Sequence, residues 1–199
     1  MTRMIIALEG PCLSGKSTVA HQLTQMAADC LVFPCYVAEL SVVPPEPVAS
    51  SQAEQLASTA LFLEIESKRF DRVTSSTATL VLLDRSIDTL AAHALAVAHY
   101  LAKPGGYSDT LSLIRGEPKR LVPDVTFFLE VPTAELRRRS ASFPHLPPVY
   151  YDPSFLRGFR EHFEGGYRFA RDFMFVDARG DSQATASRIL QEVAFRSMS

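Results

Sequence analysis

Residues Gly10-Pro11-Cys12-Leu13-Ser14-Gly15-Lys16-Ser17 fit the spacing G-x-x-x-x-G-K-[S/T] and lie between an apolar run and a stretch of helical character. That succession of strand, glycine loop and helix is the context in which the pattern has physical meaning, and a chance match would lack it. Met4-Ile5-Ile6-Ala7-Leu8 is continuously apolar, as expected of a strand covered on both faces of a parallel sheet. Glycines let the backbone curl so that successive N–H groups point inward at an anion. The helix that follows adds its unsatisfied N–H groups and positive dipole end. Gly10 to Ser17, with Thr18, are therefore expected to hold phosphate. Lys16 is expected to face solvent and supply charge to the β- and γ-phosphates, and the Ser17 hydroxyl to hold Mg²⁺.

The rest of the chain continues the alternation. After a helix from Ser17 to Ala28, Leu31 to Val37 reads as a second strand, ended by the proline-rich segment Glu39 to Pro47, which argues against regular structure. Gln52 to Val73 is helical, with Leu56, Ala60, Leu63 and Phe70 on one stripe. Leu80-Val81-Leu82-Leu83 is a third strand, Ile87 to Ala102 a helix stopped by Pro104-Gly105-Gly106, and Ser108 to Arg115 a short helix. Asp124 to Val131 is a fourth strand, followed by a helix capped by Thr133 and ending near Arg137, Arg138 and Arg139. Phe143 to Tyr151 reads as a surface loop, Pro153 to Asp172 as a helix that Gly165-Gly166 can break, and Phe173 to Val176 as the fifth strand. Asp181 caps a last helix running towards Phe195. Strands alternating with helices at these lengths imply a three-layer α/β fold with a parallel sheet, in one domain spanning 1–199.

Composition narrows the partners. A net charge of −2 shows no basic excess for a nucleic acid. The N-terminus lacks the apolar length and small-residue site of a signal peptide, and the apolar stretch Leu90 to Leu101 is too short to span a bilayer. Cys12, Cys30 and Cys35 have no metal-ligand spacing with histidine and cannot all pair. A cytoplasmic protein with reduced thiols and a small-molecule substrate is expected, without nucleic-acid or membrane partners. His21, His93, His99, His145 and His162 are scattered without partner spacing, so surface or half-buried positions are expected for all five.

The third strand delivers Asp84-Arg85-Ser86 at its carboxyl end, where ligands bind in open α/β sheets. Asp84 is placed to hold Mg²⁺ with Ser17, and Arg85 to bind transferring phosphate oxygens with its planar fork. On its own, Asp84 would more simply cap the next helix; beside the glycine loop, the functional reading leads.

Over nearly its whole length the chain resembles the thymidylate kinase and deoxynucleoside kinase group of P-loop kinases. Leu8-Glu9-Gly10 is similar to the opening of both families, and Asp84-Arg85-Ser86 to their Asp-Arg-Tyr/Ser and Glu-Arg-Ser motifs. Pro123-Asp124-Val125-Thr126 through Pro132 looks like their fourth strand, and Val176-Asp177-Ala178 like a late strand whose loop encloses adenine. Phe155, Arg160 and Phe163 follow the spacing of a thymidylate kinase helix. The resemblance implies a P-loop NTPase fold with a five-stranded parallel sheet and a short lid at about 137–152. It also implies ATP and Mg²⁺ as cofactors and a nucleoside or nucleoside monophosphate as acceptor. It places Phe62, Glu66, Arg69, Arg85 and Arg160 around that acceptor. The alanine- and leucine-rich 87–102 helix is expected to be core first, and only second a flat face for the homodimer pairing known in related kinases.

The departures concern the acceptor. Cys12 replaces the acid that thymidylate kinases carry in the loop. Their acceptor-phosphate arginine, four residues after a helix phenylalanine, corresponds here to Glu66 after Phe62, with Lys68 and Arg69 nearby. Glu66 there would repel a phosphate. Deoxynucleoside kinases carry a base glutamate in a Pro-Glu-Pro-Val segment, whose letters recur at Pro45-Glu46-Pro47-Val48, although Glu39 at the expected end of strand two is better placed by spacing. Glu39, or else Glu46, would orient the acceptor or take its hydroxyl proton. One arginine of 137–139, written as Arg138 with its two neighbours as equals, would close over the phosphates from the lid. The expected activity is Mg·ATP-dependent phosphoryl transfer. Its rivals are a kinase of another small alcohol, a P-loop switch or motor ATPase, and a binding module without catalysis.

Overall fold

The computed structural model describes residues 3–27, 29–103 and 106–197. Five strands, β1 (Met4–Glu9), β2 (Cys30–Phe33), β3 (Leu80–Asp84), β4 (Val125–Glu130) and β5 (Asp172–Asp177), form one sheet in the order β2-β3-β1-β4-β5. All its pairings are parallel. The continuous apolar runs have the burial that this arrangement demands: Ile6, Ala7 and Leu8 of β1 are fully buried, as are Val81, Leu82 and Leu83 of β3.

Helices α1 (Lys16–Met26) and α8 (Ser182–Ser197) cover one face through Val19, Leu23, Ile189 and Val193. The other face carries α3 (Gln52–Ser75), α4 (Ile87–Leu101), α5 (Gly106–Gly116) and α7 (Pro153–Glu164). The three-layer α/β architecture expected from the sequence is thus the one observed. Among the described residues no helix is long and apolar enough to cross a membrane.

Several boundaries move, each for a local reason. Strand β2 stops at Phe33 instead of Val37, because Pro34 cannot donate to the ladder. A short helix α2 (Tyr36–Glu39) then occupies the expected end of the strand. Helix α6 (Thr133–Ser140) has Pro132, not Thr133, at its N-cap. Helix α7 is capped by Asp152, whose carboxylate accepts from the amides of Ser154 and Phe155, and it ends at Glu164 before Gly165-Gly166. A 3₁₀ turn (Pro148–Tyr151) interrupts the expected loop and buries Val149. Asp181 caps α8 as expected, accepting from the amides of Gln183 and Ala184. Helix α4 ends at Leu101 with Ala102 as its C-cap, one residue short of the expected end; the expected end of the first helix at Ala28, and Pro104-Gly105 of the expected stop, lie outside the described residues.

The alanine-rich stretch of α4 is core, as its composition led one to expect first: Ala92 and Ala96 are fully buried in the cluster formed with α7. Gly158 permits that approach: a Cβ there would sit 2.9 Å from the Ala96 Cα. His162 is neither on the surface nor half-buried. It is fully buried: its Nε2 lies 2.8 Å from Oδ1 of the equally buried Asp88, and its Nδ1 3.0 Å from the hydroxyl of the half-buried Tyr107. Asp88 also accepts from the amides of Phe169 and Ala170, tying the turn after α7 to α4.

Candidate active site

The glycine loop adopts the backbone that its sequence allows. Gly10 has φ 132° and Gly15 φ 96°, while Leu13 takes a left-handed φ of 64° at the loop's crest. A side chain at Gly10 would bring a Cβ within 2.7 Å of the Leu129 carbonyl oxygen. Lys16 is not solvent-facing as expected. It is buried, and its Nζ donates to the carbonyl oxygens of Gly10 (3.0 Å) and Pro11 (2.7 Å) and to Ser14 Oγ (3.3 Å). Burial, helped by the positive charge of Arg85, pulls its pKa down to about 8.

Sheet register brings the second acid beside this loop, since Leu8 of β1 is paired with Asp84 of β3. Ser17 Oγ donates to Asp84 Oδ2 at 2.6 Å, and Asp84 Oδ1 is buried with no hydrogen-bond partner. An orphaned carboxylate oxygen is costly unless a cation meets it. Among the described residues no group of three or more His, Cys, Asp or Glu side chains could enclose an ion. Two protein oxygens suit Mg²⁺, which keeps waters and takes substrate phosphate oxygens for the rest of its shell. Ser17 and Asp84 therefore fit the ion.

A residue quoted from the sequence only as part of a motif proves structural to the site. Glu9 is fully buried at the end of β1. It accepts from the Ser86 amide (2.8 Å) and hydroxyl (3.0 Å) through Oε1, and from the Thr89 hydroxyl through Oε2. Burial raises its pKa, and the nearby Arg85 charge opposes that rise. The three bonds hold the turn in which Arg85 takes a left-handed φ of 78° and donates its amide to the Leu8 carbonyl at 3.2 Å. A carboxylate closing an otherwise apolar strand was the available sequence signal.

Beside the loop opens a cleft of about 500 Å³, lined by Gly10, Pro11 and Cys12, by α3, α4 and α7, and by the proline segment 44–47. Its only charged lining residues among those described are Arg85 and Glu46. Phe62 lines it, as the resemblance implied. Glu39, Glu66, Arg69 and Arg160 do not. Glu66 is fully buried, accepting from the Tyr36 hydroxyl (2.7 Å) and the Leu121 amide (2.8 Å), so it cannot repel anything in the cleft. Arg69 is equally buried. It donates to Glu39 Oε1 (2.7 Å), to the Arg85 carbonyl (3.1 Å) and to the Pro34 carbonyl, which joins the ends of β2 and β3. Glu39, carried onto α2 by the early end of β2, is thereby paired off behind the cleft wall, with Arg72 3.8 Å away. Lys68 is exposed.

The arginine run is sorted by helix geometry. Arg139 donates to the Leu13 carbonyl at 2.9 Å and to Glu135 Oε1 at 2.7 Å, so it touches the phosphate loop. Arg138, the arginine written from the sequence, has a side chain 74% exposed and pairs only with Glu135. The two arginines hold the Glu135 carboxyl at about 2. Arg160 is bound to Glu130 and Glu164, both at 2.6 Å, and lines a second cleft beyond β4 and β5 that meets the first at Pro11 and Leu156.

No family model matches the sequence, and no curated protein matches it. Solved structures do match. A structure of deoxyadenosine kinase from M. mycoides with dCMP and a flexible dCDP superposes with a TM-score of 0.72 at 17% identity, covering 96% of this chain and 99% of that one. A second, with bound dATP, gives 0.72 at 18% identity over 96% and 100%. A third, with bound dCTP, gives 0.68 at 19% identity over 96% and 99%. The chain has the deoxynucleoside-kinase-like P-loop fold.

On this P-loop kinase fold, the residues read from the sequence separate into two groups. Lys16, Ser17, Asp84 and Arg85 converge at the carboxyl edge of the sheet, with Glu46 on the same cleft as Arg85. The buried Glu66 and Arg69 and the half-buried Glu39 form a polar strut behind it, and Arg160 lies in the neighbouring cleft.

Proposed function

We propose that the chain transfers the γ-phosphoryl group of Mg·ATP to a hydroxyl of a nucleoside. The observation that carries this reading is the continuity between the loop with its orphaned Asp84 oxygen and a largely apolar cleft offering only Arg85 and Glu46 as charged walls. The likeness in fold to a deoxyadenosine kinase supports it.

The step is an in-line displacement at the γ-phosphorus. The acceptor oxygen forms a bond to phosphorus, the bond to the bridging oxygen of ADP breaks, and the hydroxyl proton passes to the Glu46 carboxylate. Mg²⁺ held by Ser17 and Asp84 would neutralise charge on the β- and γ-oxygens. Lys16 exchanges its loop carbonyl partners for phosphate, Arg85 faces the transferring group, and Arg139 lies close enough to the loop to cover it. Catalysis then rests on positioning and charge stabilisation. A neutral acceptor is favoured over a monophosphate because, among the described residues, Arg85 is the only cation lining the cleft, Arg69 being committed elsewhere. The three free thiols suit a reducing cytoplasm.

The test is ADP release across nucleosides, nucleoside monophosphates and unrelated alcohols. Nucleosides should be the best acceptors. A clear preference for monophosphates, or ATP hydrolysis indifferent to any acceptor, would reject the reading.

A further inference from the structure

The acceptor cleft contains an imidazole that the transfer step does not use. Thr89, Leu90 and His93 line the cleft from α4, at the three- and four-residue spacings that share a helix face. The other neutral polar side chains around them are mostly spent. Ser58 and Thr59 donate to carbonyls of their own helix, Tyr36 to Glu66 and Thr89 to Glu9. His93 is half-buried, and among the described residues its ring nitrogens have no hydrogen-bond partner. Its ring is fixed in orientation, edge-on to Phe155 with centroids 5.5 Å apart and tilted against Tyr150 at 6.5 Å. Gln55 also faces the cleft but is a long side chain without such a clamp.

From this we infer that His93 is a specificity-determining residue of the acceptor site, hydrogen-bonding the edge of a planar, uncharged heterocycle that lies between the cleft's apolar walls. The inference rests on the nucleoside-kinase reading and deepens it. Burial first, and then the positive charge of Arg85, pull the imidazole down to about 4, so the ring is neutral near pH 7. A neutral imidazole offers one N–H donor and one bare acceptor nitrogen, which matches the mixed donor–acceptor edge of a nucleobase. Phe62, Leu90 and Pro45 supply the flat apolar surface against which such a ring packs. A ring held in place before binding loses little freedom when the ligand arrives.

The experiment compares wild type, His93→Phe and His93→Gln with nucleosides of each base. Acceptor KM and kcat are measured, together with equilibrium binding of the best nucleoside in the absence of ATP. Phe keeps the ring contacts and removes both nitrogens. It should raise KM and Kd for the best nucleoside by roughly 10–100-fold, as for one lost hydrogen bond in a desolvated site, with kcat within about threefold. Discrimination between bases should flatten in the same variant, and Gln should recover part of it. If His93→Phe fails to fold, His93→Leu carries the same comparison. Unchanged KM, Kd and base preference in the nitrogen-free variant would overturn the inference while leaving the kinase reading intact. A wild-type enzyme that phosphorylates and binds no nucleoside would overturn both.

Discussion

The Ser17 hydroxyl donates to Asp84 Oδ2 across 2.6 Å, and the other oxygen of that carboxylate is buried without a partner. The pair joins the start of α1 to the end of β3, and the free carboxylate oxygen is the one that would take Mg²⁺ in the proposed reaction. Asp84→Asn removes that buried charge while keeping the side-chain shape. Turnover should fall on the order of 10²-fold or more, as for loss of a preorganised charge-stabilising group. The Mg²⁺ dependence should weaken and the melting temperature should change little, because the burial cost of the Asp84 charge is removed together with its attraction to Lys16 and Arg85. Metal titrations and thermal melts on the same variant check this; a lower melting point with unchanged kinetics would instead make Asp84 a helix cap.

Lys16 sets a pH dependence for nucleotide binding. Burial lowers its pKa from 10.5 to about 8, so the folded protein sheds this proton near pH 8 where the unfolded chain keeps it to about 10.5. ATP needs the charged form. Its affinity should therefore be constant below about pH 7 and decline above pH 8, by up to about tenfold per pH unit, with a proton taken up on binding. Lys16→Arg, which stays charged, should show weaker but flatter binding. Calorimetry in buffers of different ionisation enthalpy reads the proton directly.

Glu46 and Glu39 should behave differently. Glu46→Gln should lower kcat by roughly 10²–10⁴-fold, the usual contribution of a general base, with acceptor binding largely retained. Glu39→Gln should leave kcat near wild type and reduce stability, because it strips Arg69 of the carboxylate that compensates its burial. Parallel kinetics and denaturant titrations on the two variants distinguish them. A kinetic defect confined to Glu39→Gln would return the proton-accepting role to that residue.

Arg139→Ala should reduce kcat on the order of 10²-fold through loss of positive charge at the phosphate loop. Arg138→Ala should change both kcat and stability little, because an ion pair this exposed is screened by solvent. Steady-state kinetics on the two neighbours provide the comparison, and equal effects would remove the distinction drawn from the Leu13 contact.

Much of the fold is written locally. The glycine spacing of 10–17 and the continuous apolar runs of β1 and β3 act over a few residues, so the sequence alone determined the three-layer sheet, the phosphate loop and the convergence of Lys16, Ser17, Asp84 and Arg85. The acceptor side depended on matters that spacing does not carry. Pro34 ended β2 early, which turned Glu39 onto α2 behind the wall and left Glu46 on the cleft. Glu66 and Arg69 share one helix, and only packing against Tyr36, Leu121 and Pro34 drew both inward. Arg138 and Arg139 are indistinguishable as letters, yet one residue is a rotation of about 100° on a helix, which separates solvent from the loop. The neutrality of His93 likewise comes from burial and a neighbouring charge on another segment. Backbone course follows from local pattern; the direction and environment of a side chain are set by what packs against it from elsewhere in the chain.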